Sequence, residues 1–243
     1  MAIVIFLISH WFLSLFGQTF FNHRYASHRM FSMSPVWERI FFVYTFFVQG
    51  SSYLQPKAYA IMHRMHHKYS DTAQDPHSPR FSNNIFQMMW NTFRTYRGLV
   101  DGKVGYGEAI GKNIPRWDAL DRIADPWFTR VSFMSFYSTF YFFFATQWWM
   151  WLFLPLHFVM GPVQGAIVNW YGHKYGYVNF VDTKDQSKNV VPIDVMLCGE
   201  LFQNNHHKYP GRANFACRMF EFDPTYAVIR LFSMMRIIHL TRA

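Results

Sequence analysis

Two long stretches of the chain, Met1 to His23 and Val131 to His173, contain no Lys, Arg, Asp or Glu. This segregation of charge constrains the fold more than any single motif. The run AIVIFLISHWFLSLFGQTFF is about the ~20 residues that a helix needs to cross ~30 Å of hydrocarbon, so residues 2–22 read as one crossing. No basic stretch precedes it and no small-residue cleavage site lies ahead of Asn22, so it is expected to be retained rather than removed as a signal peptide.

The second uncharged run, built as one helix at ~1.5 Å per residue, would be roughly twice the bilayer thickness. It must fold back as a hairpin with arms over 131–147 and 150–170. The turn is expected near QWWMW at 147–151, because Trp favours the headgroup region, with Pro155 and Gly161-Pro162 bending the second arm. A third stretch, IFFVYTFFVQGSSYL at 40–54, is short for a span and follows Glu38 and Arg39. It reads as a re-entrant or interfacial helix, the alternative being a tight hairpin extending to about residue 62.

Composition agrees with a large lipid-facing surface: 51% of residues are hydrophobic, 21% aromatic and only 15% charged. The mean hydropathy of -0.04 averages these uncharged runs with strongly polar segments. All 23 Lys and Arg and all 14 Asp and Glu lie within 23–130 and 171–243, on one side of the expected membrane. The positive-inside rule makes that side cytoplasmic, with the N-terminus outside and the C-terminus inside. The expected fold is therefore an all-α integral membrane protein, a single domain over 1–243. It has few transmembrane helices, one re-entrant or interfacial helix and a cytoplasmic helical cap. A net charge of +9 then follows from topology and needs no nucleic acid, while leaving room for anionic lipid, a phosphate-bearing carrier or an acidic redox partner. Cys198 and Cys217, the two cysteines, are expected to be free thiols.

Against this map the twelve histidines are informative. His23 and His28 lie in HRYASH, His63, His66 and His67 in HRMHH, His173 in NWYGH, and His206 and His207 in QNNHH. Each cluster falls just past the cytoplasmic end of an apolar segment or in the polar part itself, which brings distant sequence to one membrane face. Offsets of three and four align His63, His66 and His67 on one helical face, as they do Asn169 with His173, and Gln203 with His206 and His207. The offset of five in HRYASH instead turns its two imidazoles apart on an α-helix, suiting two different metals or a helix that ends between them.

So many imidazoles exceed the three or four ligands of one zinc, and two metals fit better. With no cysteine or carboxylate inside the clusters, iron–sulfur and carboxylate-bridged sites are disfavoured, whereas imidazole suits iron, copper, nickel and zinc alike. Burying these rings without a common partner would cost free energy at each one. His10, His157 and His239 read as packing residues, and His77, in DPHSP, as a loop residue or one that supports a ligand from behind. Asp71, Asp75 and Asp182, near the boxes in sequence, are candidates for orienting imidazole N–H groups.

The order and spacing of HRYASH, HRMHH, NWYGH and QNNHH, with DTAQDPHSP after the second box, closely resemble the membrane fatty-acid desaturase family, especially its stearoyl-CoA (acyl-CoA) desaturase-like bacterial members. The resemblance covers nearly the whole chain. It implies an enzyme with two iron ions that uses O2 and two electrons to insert a cis double bond into a saturated acyl chain. The substrate is expected to be acyl-CoA or acyl-lipid and the position delta-9. Carried over by motif, the ligands are His23, His28, His63, His66, His67, His173, His206 and His207, with Asn169 acting on one iron through a water. The family's third box has histidine where this chain has Gln203, which is expected to meet a metal or hold its water. The resemblance also implies a bacterial inner-membrane enzyme with its active site on the cytoplasmic face. No flavin or haem extension is visible, so electrons are expected from a separate ferredoxin, rubredoxin or cytochrome b5. Two other readings remain open: a membrane di-iron hydroxylase of alkanes, carotenoids or lipids, and a non-catalytic membrane metal-binding protein. The residues that contact the acyl chain cannot be picked out from sequence.

Overall fold

The computed structural model describes residues 1–241. The chain opens with helix α1, Ala2–Phe16, which continues without a break into a π-helical segment, Gly17–Ser27. After strand β1, Phe31–Met33, come helices α2, Pro35–Gln49, and α3, Pro56–Tyr69. Helix α4, Ile85–Val100, is followed by the short α5, Glu108–Gly111, and α6, Asp118–Ala124, then by α7, Trp127–Phe144. Helices α8, Leu154–Phe158, and α9, Met160–Gly172, form a broken arm, and a long irregular segment leads to α10, Gln203–Lys208. Helix α11, Pro224–Met234, and strand β2, Ile238–Leu240, complete it.

The expectation of an all-α chain is corrected at one point. β1 and β2 pair antiparallel, with Phe31 opposite Leu240 and Met33 opposite Ile238, which ties the end of the N-terminal helix to the C-terminal segment. Strands of three residues carry no period long enough to show in a sequence.

Among the described residues, one helix, Ala2–Ser27, is by itself long and apolar enough to cross a membrane. The pair Trp148–Phe158 and Met160–Gly172 passes the same test together, bent by 75° at Val159. The chain turns back after Phe144, where α8 packs on α7, and the second arm is broken between Pro155 and Gly161-Pro162. The helix in the 40–54 region lies five residues earlier than expected: α2 begins at Pro35, where the Ser34 side chain accepts a hydrogen bond from the Trp37 N–H, and ends at Gln49. Its exposed apolar residues, Val36, Ile40, Val43 and Phe47, recur at offsets of four and three and form one outward stripe. The opposite face packs Phe41 and Phe42 against Phe20 and Phe21 of the π segment, in an aromatic core that also holds Phe31, Phe202 and Phe215. That core backs the histidines and fixes the end of the first helix against the C-terminal third of the chain.

Candidate metal centre

The π segment explains how an offset of five can serve one site. In an α-helix His23 and His28 would stand about 140° apart. Here the His28 N–H donates to the His23 carbonyl at 3.2 Å, an i to i+5 bond, and the helix ends at Ser27. The two rings then come to 5.1 Å between centroids in one group, rather than serving two different metals.

Helix α3 contributes to both halves of the site. His63 and His67, one turn apart, face the first helix, and His66 turns toward α9 and α10. Two groups result. The nitrogens of His23, His28, His63, His67 and His206 lie within 4.8 Å of one another, as do those of His66, His173 and His207. Adjacent His206 and His207 project to different groups because neighbours on a helix differ by about 100°. All eight box histidines are thus brought together.

The contacts inside these groups are not ordinary hydrogen bonds. His28 Nε2 lies 2.7 Å from His63 Nε2, His67 Nε2 is 2.9 Å from both His63 Nε2 and His206 Nε2, and His206 Nε2 is 2.9 Å from His23 Nε2. A neutral imidazole has one N–H, and wherever Nδ1–H donates to a carboxylate, Nε2 presents a lone pair. Carboxylates stand there repeatedly: Glu200 at 2.7 Å from His23, Asp75 at 2.9 Å from His66, Asp71 at 2.9 Å from His173 and Asp185 at 2.5 Å from His207. Lone pairs aimed at one point repel unless a cation lies between them. With metal–nitrogen bonds of ~2.1 Å, cis ligands of a six-coordinate ion would be about 3.0 Å apart, close to the spacings here. In the second group, His173 Nε2 is buried with no hydrogen-bond partner and points to the same need. The donor set is all imidazole, and these clusters can hold metal.

The carboxylates partly match expectation. Asp71 and Asp75 do support histidines, and Asp71 does so from a left-handed turn, φ 56°, directly after α3. Asp182 does not: it pairs with Lys208 at the surface, and Asp185 three residues later takes the place beside His207. Glu200 was missed because it lies in the irregular segment before α10, where no periodicity assigns a face. Burial would raise Asp71 and Asp185, but the hydrogen bonds they accept, first of all from His173 and His207, outweigh it and hold both well below the usual carboxylate range.

The two asparagines of QNNHH anchor the short helix. Asn204 Oδ1 accepts from the backbone N–H groups of Asn179 and Phe180, and the Asn205 amide donates to Glu221 and the Phe215 carbonyl. Gln203 is buried, and its Nε2 donates to the Glu200 carbonyl at 2.7 Å, which leaves Oε1 as its free end. It packs so closely on the end of α9 that a Cβ on Gly172 would lie 2.5 Å from Gln203 Cγ. Asn169 likewise spends its N–H on the Gly165 carbonyl at 2.9 Å and keeps Oδ1 free. Both amides line a cavity of about 210 Å³ that also reaches His23 and His63 and is walled by Leu15, Leu54, Met62, Phe93 and Val168.

The chain matches the fatty acid desaturase family over residues 1–221. It belongs to that family. Among similar proteins are a hex-5-enoyl-[acyl-carrier protein] acetylenase of Moorena producens, 26% identical over 92% of this chain and 71% of that protein. An acyl-CoA 5-desaturase of Anemone leveillei is 30% identical over 89% of this chain and 64% of its own length. An sn-1 stearoyl-lipid 9-desaturase of Synechocystis sp. is 30% identical over 90% and 65%. The chain is a desaturase-family oxidoreductase, and its histidine clusters could hold the metal on which that family generally depends.

Burial, and then the neighbouring imidazoles or arginine, push His28, His63 and His67 well below the ordinary histidine value of 6.5, and His66 and His206 behave alike. In the metal-free protein these rings stay neutral while folded, whereas the unfolded chain takes up protons as pH falls through 6.5. Stability is therefore full above that value and falls below it. Thermal melts of metal-free protein in detergent should show a steep loss between about pH 7.5 and 5.5, and bound metal should reduce it because ligation keeps the rings deprotonated.

Proposed function

We propose that this protein is an O2-dependent fatty acyl desaturase that inserts a cis double bond into a saturated acyl chain at a histidine-ligated di-iron centre. One metal would be held by His23, His28, His63, His67 and His206, the other by His66, His173 and His207 with the free oxygens of Asn169 and Gln203 toward it. The observation that carries this reading is the opening of the five-histidine group, through His23 and His63, onto a largely apolar cavity that Asn169, Gln203 and His77 also line. The names of the relatives support acyl substrates on several carriers and, for the Synechocystis protein, the 9 position. For this chain we favour delta-9 insertion into acyl-CoA or acyl-lipid.

When bound, iron supplies the reduction of dioxygen and the removal of hydrogen from an unactivated methylene, which no side chain can perform. The protein's own residues do the rest. Leu15, Leu54, Met62, Phe93 and Val168 hold the chain and keep water out, so that a fixed pair of methylenes is presented beside the clusters. Glu200, Asp75, Asp71 and Asp185 fix the tautomers of His23, His66, His173 and His207 by holding the proton on Nδ1, which faces each carboxylate. Asn169 and Gln203 present neutral oxygen rather than charge to the second group.

The reading extends to the membrane. Residues 2–22 and the α7 to α9 hairpin cross it, α2 lies re-entrant or interfacial, and the polar parts form one cytoplasmic domain with them. Electrons come from a separate ferredoxin, rubredoxin or cytochrome b5. Expression in a desaturase-deficient bacterial or yeast host, with gas chromatography of the fatty acids, should reveal a new monounsaturated acid with its double bond at a single position. A hydroxylated product, or an unchanged profile with the protein present and iron loaded, would contradict it.

A further inference from the structure

The second group is poorer than the first by two imidazoles, and position 203 supplies an amide in its place. Beside it stands a histidine that no box contains. His77 is buried, and both its Nδ1 and Nε2 lack a hydrogen-bond partner. Leaving a buried polar group unsatisfied costs its full desolvation penalty, so an imidazole with both nitrogens bare calls for something to meet it.

Its placement indicates what. The His77 ring lies on the His66 ring with centroids 4.3 Å apart, and its backbone N–H donates to Asp75 Oδ1 at 3.0 Å, which holds the loop in position. It lines the same cavity as Asn169 and Gln203. Its donor atoms fall within 4.8 Å of those of His66 and Asp75 but do not join the set formed with His173 and His207. A separate third metal at His66, Asp75 and His77 is disfavoured, because the Asp75 carboxylate already receives His66 Nδ1 and the N–H groups of Asp71 and His77.

We propose that His77 belongs to the second metal's surroundings, where it holds a solvent ligand of that metal from the cavity side and supplies the imidazole that position 203 lacks. The inference rests on the two-metal reading above. A neutral imidazole can accept from water at one nitrogen and donate at the other, and a polar wall shared with two amide oxygens gives such a water enough partners. The site is thus completed from the DPHSP loop rather than from the third box.

The test is titration of metal-free protein in detergent with Co²⁺, following the ligand-field spectrum and bound metal. Wild type should take two equivalents. His77→Ala should bind the first as wild type does, which reports an intact fold, and the second about 10–100-fold more weakly, the range for loss of a group supporting a metal site. His77→Gln should lie between them, and adding Gln203→His to His77→Ala should restore the second equivalent. Two equivalents of wild-type affinity in His77→Ala would overturn the role of His77 alone. Loss of both equivalents that Gln203→His does not repair would overturn it too. Fewer than two in wild type would overturn the two-metal reading and this inference with it.

Discussion

Replacing His206 with alanine should abolish desaturation and empty the five-histidine group while leaving the fold in place. His206 is fully buried, and its Nε2 faces both His23 and His67 at 2.9 Å, so it contributes at the middle of the group. The short helix that carries it does not depend on it for position, because Asn204 and Asn205 anchor the backbone to the 179–180 segment and to Glu221. The loss of activity should exceed the about 10–100-fold that removal of a supporting group costs, and Glu200→Gln, which weakens only the support behind His23, should fall within that range. Iron content and product formation, measured on the same preparations with a melting curve as control, distinguish the two. Equal residual activity in both variants would mean that His206 is not a ligand.

Arg24→Met should be the most destabilising single change in the part of the chain that carries the histidines. Arg24 is completely buried, bonds Asp223 at 2.8 Å and Glu200 at 3.2 Å, and stacks on Phe215 with 3.8 Å to the ring centroid. Those partners come from three places. Glu200 supports His23, Asp223 caps α11 through the Tyr226 N–H, and Phe215 lies against His206. The fit around Asp223 is tight enough that a Cβ on Gly199, which has φ +93°, would come within 2.4 Å of its Oδ1. Removing the guanidinium leaves two buried carboxylates without their cation, for which about 3–5 kcal/mol is the expected cost. Arg24→Lys keeps the charge but not the planar fork, and should be intermediate. Denaturation in detergent checks both, and a methionine variant as stable as wild type would show that the network is not needed for the fold.

The histidine boxes were legible because side chains that meet from one helix must keep helical spacing, and spacing survives in sequence. Asp71 and Asp75 were legible by adjacency, since the loop that follows α3 returns at once to the helix it leaves. Asp185 and Glu200 were not, because the segment from Lys174 to Phe202 has no period that relates position to direction, and there a difference of three residues separates a surface ion pair at Asp182 from a buried support at Asp185. The offset of five in HRYASH was legible in part: the helix does end between His23 and His28, at Ser27, while the π form that brings the two rings together has no composition signal. The break in the second apolar arm was legible from Pro155 and Gly161-Pro162, since residues that cannot continue a helix mark it wherever they fall. His77 was assigned to the loop correctly, but its two bare nitrogens exist only once the neighbouring helices close around it.

The central claim is that two unequal histidine groups each hold an iron. Iron analysis of protein purified with its metal, combined with Mössbauer spectroscopy of an ⁵⁷Fe-enriched sample, tests it most directly. The account predicts two irons per chain in two distinguishable environments, one surrounded by more imidazole than the other. A single iron per chain, or two in identical environments, would contradict it.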